Sequence, residues 1–587
     1  MKRTTLWWVL GFFLVLAGCK EVPPSSSSVG MAEGPRADTV VINAKVYADG
    51  SSANVSEALA IQGGRFLAVG TTEAMLALTD DATETIDAAG AAVFPGLIDA
   101  HAHPSMGGQK VLYMCNFAFN TTPNELAATI ERCAQAPDAP EWIVGGQWNS
   151  NFFVDHDIAS PREFLDAVSG DHPVFLDDDS AHHGWANTLA MELAGIELSA
   201  DTVDPIGGVY VRDEAGVPNG VLLESAAGVV SAVIPPYTLS QVTAGIEAVS
   251  GIANSYGVTA FGDARVPEMA MRAYKAADDA GKFTVHAVLY QQSYGHGGEP
   301  EPLEPVTAYE ERAALYGSEN LKTKAIKFFL DGVPTASRSA LMVAPYTTDA
   351  QHPEATLGMQ MIATEELERA VARFDAAGYL IKIHTAGDGA VRVALDAIEN
   401  ARIANGSPGQ PISLAHAGYI DPLDLPRFSA LNAVADFSPY LWYPRPIIDS
   451  VVQAVGLPRG ERYWPTRDLL DSGALVNGGS DWPAAAADMN PWPAIESLVS
   501  RRHPTSGTEA EFWPEQSVSL DEAIVLWTTQ PALILGIENV TGSIAVGKSA
   551  DFLILNQDIH EISLEAISET MPLETWFRGQ KVFAVEK

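Results

Sequence analysis

Cysteine is scarce in this chain, three residues in 587, which limits covalent cross-linking to a single bond. Basic residues are also few. Against 74 Asp and Glu stand 35 Lys and Arg, and the formal net charge of −39 repels phosphate backbones and anionic lipid surfaces. No nucleic-acid partner is expected. The acidic residues are spread along the chain rather than gathered in a tail, so they read as a solvated surface and carry no information about substrate charge. Long apolar runs are missing too: Leu6–Leu16, behind Lys2 and Arg3, is too short to span a bilayer comfortably. No internal repeat is apparent. At 47% hydrophobic residues the chain can nevertheless bury a large core, and its length calls for one large catalytic-sized unit plus something smaller.

The short apolar run ends in Leu16-Ala17-Gly18-Cys19, which resembles a bacterial lipobox. The resemblance implies a signal peptide over 1–18, a lipid on Cys19 and a Pro- and Ser-rich tether over 19–37. An ordinary signal peptide or a weak anchor is the alternative. The expected location is the bacterial cell envelope, at the outer membrane facing the periplasm, with membrane contact through the lipid alone. Cys115 and Cys133 then remain, and an oxidising compartment allows them to form a disulfide.

The chain is organised around Phe94-Pro95-Gly96-Leu97-Ile98-Asp99-Ala100-His101-Ala102-His103-Pro104. Phe94 to Ile98 reads as a buried strand, with His101 and His103 at its end. Side chains alternate along a strand, so the two imidazoles share a face and can grip one ion from one side. Two histidines merely satisfied near a turn would give the same pattern.

From Asp38 to Ala92 short strands recur: Thr39–Tyr47, Ala58–Val69 and Thr83–Ile86. The C-terminus supplies matching pieces at Ala550–Leu555, Glu574–Arg578 and Lys581–Val585. Neither set can bury its faces alone, so 38–92 and 540–587 are expected to build one composite β-sandwich domain. Between them, after the first strand, apolar runs lie at Val258–Phe261, Thr284–Leu289, Lys324–Phe329, Leu380–His384, Ile412–His416, Ala433–Phe437 and Leu475–Gly479. Helical patterns such as Pro267–Ala280 and Thr364–Ala377 separate them. This alternation predicts an α/β fold, a (β/α)8 TIM-type barrel over 93–539, with its site at the C-terminal strand ends. Residues 105–251 are too many for one crossover and read as a cap subdomain over the barrel mouth.

The polar residues at those ends suit a metal cage. Lys327 lies on the fourth strand, His384 ends the fifth, His416 ends the sixth and Asp481 follows the eighth. Each alone has a plain structural reading, and for Lys327 that is an ion pair with Asp331 or Asp481. An aromatic pocket could be drawn from Trp148, Trp185, Tyr440, Trp442 and Trp482, although such residues are as often packing as recognition. His182 and Trp185 lie in the irregular stretch Ser180–Trp185 of the cap, and Glu224 and Asp263 stand as supporting carboxylates.

At this point the chain resembles the amidohydrolase superfamily, and within it the extracytoplasmic amidohydrolase family 3. The resemblance rests on Pro95–His103, Lys327-Phe328-Phe329-Leu330-Asp331-Gly332, His384-Thr385-Ala386-Gly387-Asp388, Gly479-Ser480-Asp481 and the closing Gly542–Asp551. It implies His101 and His103 on a more buried ion, His384 and His416 on a more exposed one, and Lys327, carboxylated by CO2, between them. It also implies Asp481 as ligand and proton carrier. The ions would be divalent, two Zn2+, or a single ion if Lys327 stays unmodified. The segment after Gly332 and Gly389, where the family often has arginine, depart from the usual pattern. These departures spare the ligands but withdraw support from any borrowed substrate.

The expected activity is hydrolysis of a non-peptide C–N bond, amide-type, in a small organic substrate by a metal-activated water. Ester or lactone cleavage on the same site is the alternative enzyme reading. A catalytically silent, lipid-anchored binding protein is the alternative from another class. Oligomeric state is left open.

Overall fold

The computed structural model describes residues 35–586 apart from 138–139, 150, 179, 181, 294–302, 304, 350–351, 442–445, 485 and 505–509. The expected signal peptide, Cys19 and nearly all of the tether lie outside the described residues.

Eight parallel strands make the central sheet, each beside its neighbour in the chain: β1 (Leu97–Ala102), β2 (Val258–Val266), β3 (His286–Gln292), β4 (Leu321–Phe329), β5 (Leu380–Thr385), β6 (Ile412–His416), β7 (Ala433–Phe437) and β8 (Leu475–Gly478). Every residue of β1, β5, β6 and β7 is buried, as strands need when helices cover one face and barrel side chains fill the other. The intervening helices turn one stripe inward. In Glu268–Asp279, the buried set Ala270, Met271, Ala273, Tyr274 and Ala277 recurs every three to four residues. The barrel closes just beyond its strand ends: the Asp481 amide donates to the His101 carbonyl at 2.7 Å and the His103 amide to the Trp482 carbonyl at 2.7 Å.

The expected single strand Phe94–Ile98 is in fact two. Ala92–Pro95 belongs to a six-stranded sheet, where it lies between Phe552–Leu555 and Lys45–Tyr47, whereas Leu97 begins the barrel. Gly96 makes the passage between sheets, and a Cβ there would lie 2.0 Å from Thr259 Oγ1. An unbroken apolar run carries no mark of this change of partner, because both strands are buried on both faces. Similarly, Thr39–Tyr47 is split at Asn43, which has φ 52°, and its halves serve different sheets. The β unit therefore comprises a four-stranded sheet, from 39–42, 58–62, 65–70 and 84–87, and a six-stranded one that mixes strands from both ends of the chain. Val41, Leu59, Phe66, Phe552 and Trp576 pack between them, the last two rings stacked at 5.3 Å.

Between β1 and β2 a second six-stranded sheet spans Cys115 to Glu224 and forms the cap. Cys115 and Cys133 are joined in a disulfide at its edge. The cap is shorter than the 105–251 read from sequence. Helix Leu239–Ser255 packs on helix Glu268–Asp279 and on β2, so it belongs to the barrel wall. Its small, apolar residues give no outward sign of which layer they join.

Candidate metal centre

His101 is the penultimate residue of β1 and is fully buried; its Nδ1 lies 2.9 Å from Asp436 Oδ2 on β7. Its Nε2 has no hydrogen-bond partner and stands 3.6 Å from Asp481 Oδ1. His103 Nε2 approaches the same oxygen to 3.3 Å. These three side chains offer donor atoms all within 4.8 Å of one another. Asp481 reaches them from a left-handed backbone, φ 59°, just after Gly479, where a Cβ would press to 2.7 Å from His101 Cβ. Asp99 ties the two segments, its Oδ1 accepting from the His101 amide at 3.1 Å and the Ser480 amide at 3.0 Å. Burial pushes the Asp99 carboxyl up to about 7.

His384 and His416 complete the rim. His384 Nδ1 lies 2.8 Å from Asp331 Oδ1, and Asp331 also accepts from the amides of Ala386, Gly387 and Leu341. The His416 ring is 4.7 Å from that of His384 and 5.0 Å from that of His101, with Nδ1 at 4.0 Å from Asp481 Oδ2. Burial pushes His416 down to about 3 and, with Lys382 and Lys327 nearby, holds His101 well below the usual imidazole range. Both rings are therefore neutral near pH 7, the state that offers a lone pair to a metal.

Lys327 lies near the end of β4, fully buried, with Nζ lacking any hydrogen-bond partner and 5.0 Å from the Phe329 ring centroid. It is not tied to Asp331, whose oxygens are taken by His384 and backbone amides. Burial, helped by the positive charge of Lys382, pushes the ammonium down to about 7. For Asp481, burial acts to raise the carboxyl, but His416, the bond from His103 and Lys327 outweigh it and hold it below the ordinary range.

A cavity of about 240 Å3 opens above these groups and is lined by His103, Lys327, His384, His416 and Asp481. His182 joins them from the cap, its ring 5.1 Å from that of His384 and its Nδ1 3.0 Å from Glu224 Oε2. Glu224 also accepts from Ser339 Oγ, on the loop after β4, and so links cap to barrel. Asp263 receives the Ser105 amide at 3.1 Å and the Tyr274 hydroxyl at 2.8 Å, bracing the helix that begins after His103.

Among the described residues the expected aromatic pocket does not form. Trp185 and Trp148 sit in the cap's own core, the Trp185 indole donating to the Pro161 carbonyl at 2.9 Å. Tyr440 is buried in the main barrel core. Trp482 packs against Gly107 and faces a separate cavity of about 690 Å3. Trp442 lies outside the described residues. A tryptophan in sequence shows a need for burial without showing which core meets it. Conversely, Asp436 and Lys382 escaped the sequence reading. Asp436 bridges His101, Lys382 Nζ and Asn477, and Lys382 also donates to the Ala100 carbonyl at 3.1 Å. Their signal was present: a lone charge within each of two otherwise apolar strands.

The donor set fits divalent ions. His101 Nε2, His416 Nδ1 and Lys327 Nζ are buried and without hydrogen-bond partners, and a carboxylate stands among them. Such a cluster at the C-terminal mouth of a (β/α)8 barrel defines a metal-dependent hydrolase. This chain belongs to the amidohydrolase family, whose model matches residues 84–583. It is 29% identical over 562 residues to the N-substituted formamide deformylase of Arthrobacter pascens, covering 92% of this chain and 97% of that protein. It is also 29% identical over 511 residues to the putative amidohydrolase YtcJ of Bacillus subtilis (strain 168), covering 85% and 90%. A crystal structure of an uncharacterized metal-dependent hydrolase from Pyrococcus horikoshii OT3 shares the fold, with a TM-score of 0.69 at 23% identity, covering 90% of this chain and 99% of that one.

Proposed function

We propose that this hydrolase cleaves an amide-type C–N bond, other than a peptide bond, in a small organic substrate. The observation that carries the proposal is the convergence of unpartnered nitrogen donors and one carboxylate on a single cavity. The name of the Arthrobacter pascens relative, a deformylase of N-substituted formamides, supports the same bond class.

His101, His103 and Asp481 would hold one ion, and His384 and His416 a second, with Lys327 between. In its neutral form the Lys327 amine attacks CO2: a C–N bond forms, one C=O electron pair moves to oxygen, and the nitrogen proton passes to water. The resulting carbamate presents two oxygens where an ammonium presents no lone pair. When bound, two zinc-type ions would supply Lewis acidity and lower the pKa of water. Asp436 and Asp331 hold the imidazoles of His101 and His384, the first with its other nitrogen towards Asp481 and the second on the cavity wall. Asp481 would take the proton of the attacking water and deliver it to the leaving nitrogen. The cap closes above, with Glu224 fixing His182 at the mouth. We also assign the lipid anchor to Cys19, which would tether the enzyme to the cell envelope.

The test measures bound metal together with hydrolysis of N-acyl, carbamate, cyclic-imide and ester substrates. About two ions per chain and preferential cleavage of the C–N compounds are expected. Cleavage of esters alone would reject the C–N assignment, and metal retained with no turnover of any compound would favour a binding protein.

A further inference from the structure

The active-site cavity is continuous in its lining with a smaller one of about 50 Å3: Ser180, His182, His384, His416 and Asp481 border both. The reacting groups thus stand between two compartments of different chemistry. The smaller adds Val333, Pro334, Leu441, Ile447 and Val451, a largely aliphatic wall with Thr335 and Tyr463 beside it, suited to a short hydrocarbon group. The larger adds the polar Ser105, Gln109 and Arg265 beside the apolar Met106, Pro267, Phe329 and Ala484.

Arg265 stands near the end of β2, partly buried, and among the described residues its guanidinium makes one hydrogen bond, from Nε to Gln292 Oε1 at 3.3 Å. It forms no ion pair among them. Asp263, two residues earlier, is occupied by Ser105 and Tyr274. The terminal nitrogens of Arg265 are thus left to the cavity, where they offer a planar fork that matches a carboxylate. The buried carboxylates Asp177 and Asp263 act on its charge without bonding its terminal nitrogens, so a substrate carboxylate would supply acceptors that those nitrogens lack among the described residues.

Resting on the amide-hydrolase reading above, we propose that the substrate is amphiphilic about its scissile bond, with a carboxylate received by Arg265 on one side and a short apolar group in the aliphatic compartment on the other. N-acyl amino acids and N-alkyl half-amides of dicarboxylic acids share this chemistry, differing in which half bears the charge. Arg265 sets specificity and takes no part in bond cleavage.

The test takes metal-loaded enzyme and two matched pairs. N-butanoylglycine against N-butanoylethanolamine places the carboxylate on the amine half. N-butylsuccinamic acid, against the alcohol that replaces its carboxyl group, places it on the acyl half. Wild-type enzyme is expected to favour the carboxylate member of at least one pair by about 10-fold or more in kcat/KM. Arg265→Met should remove that preference, with the loss read chiefly as a raised KM for the carboxylate member of the pair. Arg265→Lys keeps the charge in place without the fork and should retain only part of the preference, which also guards against a misfolded methionine variant. Equal rates within both pairs, or a preference that survives in Arg265→Met, would overturn the assignment. Calorimetric binding of the four compounds gives a second readout. If no amide is cleaved, the C–N reading falls, yet carboxylate-selective binding lost in Arg265→Met would still uphold Arg265, and absent or unselective binding would sink it.

Discussion

Asp436 Oδ2 stands 2.9 Å from His101 Nδ1, which leaves the other nitrogen of that imidazole facing Asp481 at 3.6 Å. A carboxylate placed behind a ligating histidine fixes its tautomer and raises its basicity. Asp436→Asn should therefore lower metal affinity by about 10- to 100-fold while the folded barrel persists. Competition with a graded chelator series measures this. Affinity equal to wild type would show that the pair only fills space.

Asp481→Asn keeps the size and one oxygen donor of the side chain but removes its basicity. A fall in kcat of at least about 10², with most metal retained, is expected if Asp481 carries the proton. Near-normal turnover by the fully loaded variant would transfer that role to another carboxylate.

Lys327→Ala should lose activity and bind less metal, and short carboxylic acids should partly restore both by bridging the vacated place. Native mass spectrometry of wild-type protein should show the mass of added CO2. Unchanged metal content in the variant would argue against a bridging carbamate.

His183 gives the cap a pH dependence. Burial acts to lower its pKa, but Asp178, 2.7 Å from Nδ1, and Glu224 more than compensate and raise it from 6.5 to about 10. A histidine raised on folding stabilises fully below about 6.5, and its contribution fades as pH climbs towards about 10. Urea unfolding followed between those limits should show declining stability, and Asp178→Asn should flatten the slope. A wild-type profile that rises with pH across the window would contradict the assignment.

The barrel was legible because parallel strands covered on both faces leave continuous apolar runs, as in Ile412–His416 and Ala433–Phe437. That His103, Lys327, His384, His416 and Asp481 gather at one mouth was legible for a related reason: polar residues at the ends of such runs fall on the same side of the barrel. Contacts across the barrel were harder to see. Asp436 meets His101 over 335 positions, and no local pattern encodes which interior charges will face each other. Aromatic residues misled because Trp185 satisfies its indole within the cap, a choice made by tertiary packing. The change of sheet at Gly96 was hidden by uniform burial on either side.

The bond from the Ser480 amide to the Asp99 carboxylate spans 381 positions, and it belongs to the seam that shuts the barrel. Its consequence lies in the order of synthesis. A ribosome that has released His101 and His103 still has most of the polypeptide to make before Asp481 emerges. Contacts of such separation form late and slowly, after the cap and the early helices have had time to settle. Until then the nascent chain holds two imidazoles without their carboxylate. The catalytic pocket therefore matures only as the eighth strand docks, which makes hydrolytic competence a report on the completeness of the whole molecule.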